Sequence, residues 1–148
     1  MSTISEFMAG HHRQCDELFA EVENLVSAKK WQEVESVYSR FLDALDLHLR
    51  AEEEILFEAL SEEGGPQGPI QMMKYEHSQM RLLIDDMNEA SSGRDGQKFL
   101  GNSETFMMLI QQHNMKEEQI LYPMADDFLS GRSEELIQQV ERLLRSHG

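Results

Sequence analysis

Two stretches decide the fold: HLRAEEEILF at residues 48–57 and HNMKEEQILYP at residues 113–123. Each carries His-x-x-x-Glu, once as His48 with Glu52 and once as His113 with Glu117, 65 residues apart. The same offset joins His12 to His77 and Gln14 to Gln79. It also pairs Phe41 with Phe106, Leu45 with Ile110, Ile55 with Ile120, Leu56 with Leu121 and Phe57 with Tyr122. The chain therefore reads as a duplicated helical hairpin. Two hairpins related by a pseudo-twofold place equivalent residues opposite each other in one core. Solenoids need three or more units, so two copies suit a closed bundle.

Working outward, the pattern is helical throughout. Ile4, Met8, Cys15, Phe19, Val22 and Val26 form a first stripe. A break falls at Ser27-Ala-Lys-Lys, where lysines suit a helix C-terminus. Val34, Tyr38, Phe41, Leu42, Leu45, Ile55 and Ala59 mark a second helix from about Trp31 to Leu60. Glu63-Gly-Gly-Pro-Gln-Gly-Pro69 is a loop. A third helix is expected from Ile70 to Ala90 and a second loop over Ser91–Gly96. The fourth runs from Phe99 to Tyr122, where Pro123 ends or kinks it. Ser133 is an N-cap candidate for a tail helix over about 133–146. Short loops between long helices favour antiparallel neighbours. The expected class is all-α: an antiparallel up-down-up-down four-helix bundle over about residues 4–126, with a short C-terminal fifth helix. The 148 residues fit one domain.

The formal net charge of −15 repels phosphate backbones and anionic lipid, so neither nucleic acid nor membrane is an expected partner. No apolar run reaches the 18 or so residues of a membrane span. The opening MSTISEFMAGHHRQ lacks the basic and apolar regions of a secretory signal. The single cysteine, Cys15, precludes an internal disulfide and points to a reducing, cytoplasmic compartment.

On a helix, residues four apart differ by about 40° of rotation and 6 Å of rise. His48 and Glu52 thus share a face, as do His113 and Glu117. Leu45, Ile55 and Ala59 flank the first pair, and Ile110, Ile120 and Met124 the second, so both pairs lie on core-facing stripes. A carboxylate buried there alone would cost several kcal/mol or stay protonated. Ligation of metal explains it better. Four imidazoles and two carboxylates suit Fe, Mn or Zn more than Ca or Mg. Six ligands on four helices fit two metals bridged by Glu52 and Glu117, with positions open to O2, NO or peroxide.

With HHRQCDELF and YEHSQMRLL added to the two opening stretches, the chain resembles the hemerythrin-like (HHE cation-binding) family over residues 5 to 127. The resemblance implies a four-helix bundle with a non-haem di-iron centre. Its implied ligands are His12, His48, Glu52, His77, His113 and Glu117. Oxygen-carrying members have His-x-x-x-His on the third helix and Asp at the end of the fourth-helix motif. Here Arg81 stands four residues after His77, and Glu117 replaces the Asp. The ligand pattern is nearer to di-iron proteins that repair iron–sulfur centres. The expected function is binding or reaction with O2, NO or peroxide, in stress defence, iron-centre maintenance or sensing. Oxygen or iron storage and carriage, or a metal-free interaction bundle, are the alternatives.

Several neighbours carry their own expectations. His11 is a candidate to replace or join His12. Asp16, four residues on, is either an acceptor that fixes the His12 tautomer or a solvated residue. Cys15 is read as core. Glu53 and Glu118 are read as surface or interhelical partners, and Tyr122 and Phe57 as closing one end of the site.

Overall fold

The structure, a computed structural model, describes residues 2–146; His147, expected to be solvated, lies outside them. Five helical segments account for nearly all of these residues, and no strand occurs among them. The first helix is Ile4–Ser27, opened by a capping box between Thr3 and Glu6. The second runs Trp31–Ala51, through a π turn at Glu52–Leu56, into Phe57–Glu62. The third is Gln67–Ser92. The fourth runs Gly96–Lys116, through a π turn at Glu117–Leu121, into Tyr122–Phe128. The fifth is Ser133–Arg145.

Several boundaries differ from expectation: the third helix begins at Gln67, inside the expected loop, and the fourth at Gly96 rather than Phe99. Pro123 does not end the fourth helix. It sits in the first turn after the π segment, where its missing N–H is tolerated. Ser133 is the first helical residue rather than the cap; the cap position is Arg132, which makes no side-chain capping bond.

The two hairpin turns repeat each other as the two motifs do. Lys29 and Arg94, 65 residues apart, both take left-handed backbone, at φ 59° and 51°. The following N–H closes each turn, Lys30 onto the Leu25 carbonyl and Asp95 onto that of Ala90. This is the left-handed ending common at helix C-termini, made here without glycine.

The first helix packs on the second and the fourth, and the third on the fourth. The fifth lies against the first two. The apolar side chains form two separate clusters. One includes Cys15, Phe19, Phe41, Leu45, Met80, Phe106 and Ile110. The other includes Met8, Leu56, Phe57, Met73, Leu121, Leu136 and Val140. On each of the four long helices the buried histidines and glutamates fall between a residue of one cluster and a residue of the other. A polar layer is thus sealed between two dry ones. No described helix is long and apolar enough to cross a membrane.

The π turns correct the expected stripe. A π turn adds one residue to the helical ladder. Phe57 N–H bonds the Glu52 carbonyl, and Tyr122 N–H that of Glu117. The residue five on, rather than four, therefore stands over each glutamate. Ile120 is swung out to 57% exposure, while Leu121 and Tyr122 turn inward and are buried. Ile55 is half-buried for the same reason, with Leu56 and Phe57 inside.

Candidate metal centre

The first helix supplies His12, the second His48 and Glu52, the third His77, and the fourth His113 and Glu117; all six are buried. They form two tetrads, His12–His48–Glu52–Glu117 and Glu52–His77–His113–Glu117, with the ligand atoms of each within 4.8 Å of one another. The two glutamates belong to both. Their carboxylates lie on the boundary between the halves.

In the first half, His12 Nε2 lies 3.0 Å from Glu117 Oε1 and His48 Nε2 lies 3.6 Å from Glu52 Oε2. The Tyr122 hydroxyl sits among all four residues. It is 2.6 Å from Glu52 Oε2, 3.0 Å from Glu117 Oε1, 3.0 Å from His12 Nε2 and 3.4 Å from His48 Nε2. In the second half, Phe57 takes the position of Tyr122 and only stacks on His77. His77 Nε2 approaches Glu52 Oε1 to 3.0 Å and His113 Nε2 approaches Glu117 Oε1 to 3.2 Å. These approaches are off the hydrogen-bond line. Glu52 Oε1, His77 Nε2, His113 Nε2 and Glu117 Oε2 are all buried without a hydrogen-bond partner. Each such atom costs about 1–3 kcal/mol, more when charged. Two imidazole nitrogens and two carboxylate oxygens left so together form a donor set that fits a metal ion.

Every imidazole of the tetrads has its other nitrogen held. His77 Nδ1 meets Glu53 at 2.7 Å, and Arg81 grips that carboxylate at 2.9 and 3.2 Å. His113 Nδ1 meets Glu76 at 2.8 Å, and Lys116 bonds the same carboxylate. His12 Nδ1 meets Glu118 at 2.9 Å. His48 Nδ1 meets the Nδ1 of His11 at 2.9 Å, the two rings stacked nearly parallel. Partners at Nδ1 fix which ring nitrogen faces the site.

His11 therefore neither replaces nor joins His12 in the tetrads; it backs His48. Asp16 is exposed and makes no bond to His12, whose Nδ1 belongs to Glu118. Glu53 and Glu118 are interhelical partners. Glu76 escaped the sequence reading, although the offset that links His12 to His77 also links His11 to Glu76 and Asp16 to Arg81.

The electrostatics follow from this wiring. Burial lowers the His12 pKa, but Glu117, Glu52 and Glu118 outweigh it and hold the ring up at about 9. Burial likewise opposes protonation of His77, and Glu52 and Glu53 raise it to about 9. His113 is raised against its burial chiefly by Glu117. Burial, with His48 and His12 nearby, pushes His11 down to about 4. Burial pushes Cys15 up to about 12, so it is an inert core thiol. Against its burial, His77 and Arg81 bring Glu53 down to about 2. Burial and the two glutamates hold the Tyr122 phenol well above its usual range.

On the side away from Tyr122, a cavity of about 10 Å³ touches His12, His48 and His113 under Cys15, Met80 and Ile110. That is about the room one water-sized molecule needs.

A family model, the hemerythrin HHE cation binding domain, matches residues 3–125. The chain belongs to this family. No curated protein and no solved structure matches it. For an HHE domain, the two tetrads and their held imidazoles are where a cation would be expected.

Proposed function

We propose that this HHE protein holds two iron ions bridged by Glu52 and Glu117 and uses them to bind or react with O2, NO or peroxide. One observation carries the reading: four donor atoms of the His77–His113 half are buried close together without an aligned hydrogen bond. The donor set of four nitrogens and two carboxylates suits iron, with manganese or zinc also compatible. When bound, the iron pair would supply electrons and coordination positions for a small ligand.

The chain's own residues set the conditions. Glu53, Glu76 and Glu118 orient the imidazoles. The two apolar clusters exclude bulk water. The cavity under Cys15 and Met80 has about the room of one water-sized guest. Arg81 stands where the oxygen carriers' fifth histidine would be and spends its charge on Glu53. That supports reaction or sensing, as in the iron–sulfur repair proteins of similar ligand pattern, over reversible oxygen carriage. Contacts of Phe19 with both Phe41 and Phe106, of Tyr38 with Asn88, and of Ser5 with Asp126 support an antiparallel up-down-up-down order of the four long helices in a single domain. A lone buried thiol suits the cytoplasm.

The test is iron content, then anaerobic optical spectra of the reduced protein before and after O2 and NO. About two irons per chain with a spectral response to either gas is the expected result. Protein that takes up no iron and answers neither gas would leave the metal-free interaction bundle as the better reading.

A further inference from the structure

We infer that the Tyr122 phenol oxygen is a fifth protein ligand to the ion held by His12, His48, Glu52 and Glu117, and that the other half has no such ligand. The inference rests on the metal pair proposed above.

The geometry is that of a ligand standing over a four-atom base. Two ligands at right angles on an ion with bonds of about 2.1 Å lie about 3.0 Å apart. The Tyr122 oxygen is 2.6, 3.0, 3.0 and 3.4 Å from the four donor atoms of its tetrad. Without metal, the Tyr122 hydroxyl donates to Glu52 Oε2 and His12 Nε2–H to Glu117 Oε1. A bound cation would take the place of those two protons and draw on all five atoms at once.

The position is built by the backbone. The π turn puts Tyr122 directly over Glu117, and the residue is fully buried. The counterpart π turn puts Phe57 over Glu52, and a phenyl ring has no donor. One half thus has five protein ligands and the other four. The ion on the His77–His113 side would then have the fewer protein ligands, and His113 is its one residue on the small cavity. On coordination the phenol O–H bond breaks, the oxygen–metal bond forms, and the proton leaves to solvent.

The chain's three tyrosines make the test direct. Iron(II) is loaded anaerobically into the 148-residue chain and oxidised to iron(III) with O2. The expected result is a tyrosinate-to-iron(III) absorption in the visible, with tyrosinate ring modes in resonance Raman. The Tyr38→Phe, Tyr75→Phe protein, whose sole tyrosine is Tyr122, retains both signals. Tyr122→Phe loses both while keeping its iron content. The double variant carries the test even where Tyr122→Phe does not fold. Iron-loaded protein that answers NO but lacks the tyrosinate signals overturns this inference alone, as does a signal that survives Tyr122→Phe or vanishes in the double variant. Protein that takes up no iron overturns the metal pair with it.

Discussion

The His12–His48 half and the His77–His113 half share one spacing, two glutamates and a π turn, yet they are finished differently. In the second half both imidazoles lean on carboxylates, and each carboxylate is held by a cation, Arg81 or Lys116. In the first half, Glu118 holds His12 and a neutral imidazole, His11, holds His48. The first half closes over a phenol; the second leaves its donors unpaired. A duplicated framework fixes where the candidate ligands stand. On the proposed reading, the residues one helical step away set how strongly each half would bind.

The most severe way to break the comparison is to remove what the halves share. Glu52→Ala with Glu117→Ala is expected to weaken metal binding in both halves by about 100-fold or more, beyond the loss of any outer partner; elemental analysis after dialysis reads it. His48→Ala and His113→Ala should each reduce the bound metal from about two ions to about one. If either single change empties both positions, the halves bind as one unit and the distinction fails.

Outer partners come next. Glu76→Gln should weaken the His113-side ion by about 10- to 100-fold in a chelator competition. His11→Gln should weaken the His48-side ion by less, since His11 brings no charge. Equal losses would show that backing charge does not separate the halves.

Each half also holds one histidine raised to about 9, His12 and His77. In the metal-free protein their protonation stabilises the fold fully below their unfolded pKa of about 6.5. That contribution is lost as pH rises through about 9. Melting temperature should therefore fall across this window, and His12→Gln and His77→Gln should each flatten the fall, with His113 contributing a share of its own. The smallest contrast concerns the stripes: Ile120→Ala should change stability by no more than about 0.5 kcal/mol, and half-buried Ile55→Ala by more, as denaturant unfolding would record.

Helix count and the positions of the six ligand candidates were legible in the sequence because period and offset report directly on helical faces. The 65-residue repeat did most of that, linking histidines that no local motif connects. What stayed hidden lies one helical step away. An α pitch carried straight through Glu117 places Ile120 in the core, and nothing in Glu-Glu-Gln-Ile-Leu announces a π turn. Pro123 does not announce it either, since the equivalent turn at Glu52–Leu56 is followed by no proline. With the pitch wrong, Tyr122 could be placed near the end of the site but not over Glu117. Glu76 was overlooked for a different reason. Its counterpart is a histidine, so a search for like residues at equal offset passes over it.

A π turn is, in effect, one residue too many in an α-helix, and this chain has that surplus at the same place in both hairpins. Independent insertions would have to agree to the residue. If the hairpins descend from one, the surplus entered before the doubling, and the ancestral half already presented the displaced face. Two such halves meeting about an axis would have made a symmetric centre. The present asymmetry would then be the younger trait, written in single substitutions: His11 against Glu76, Asp16 against Arg81, Phe57 against Tyr122.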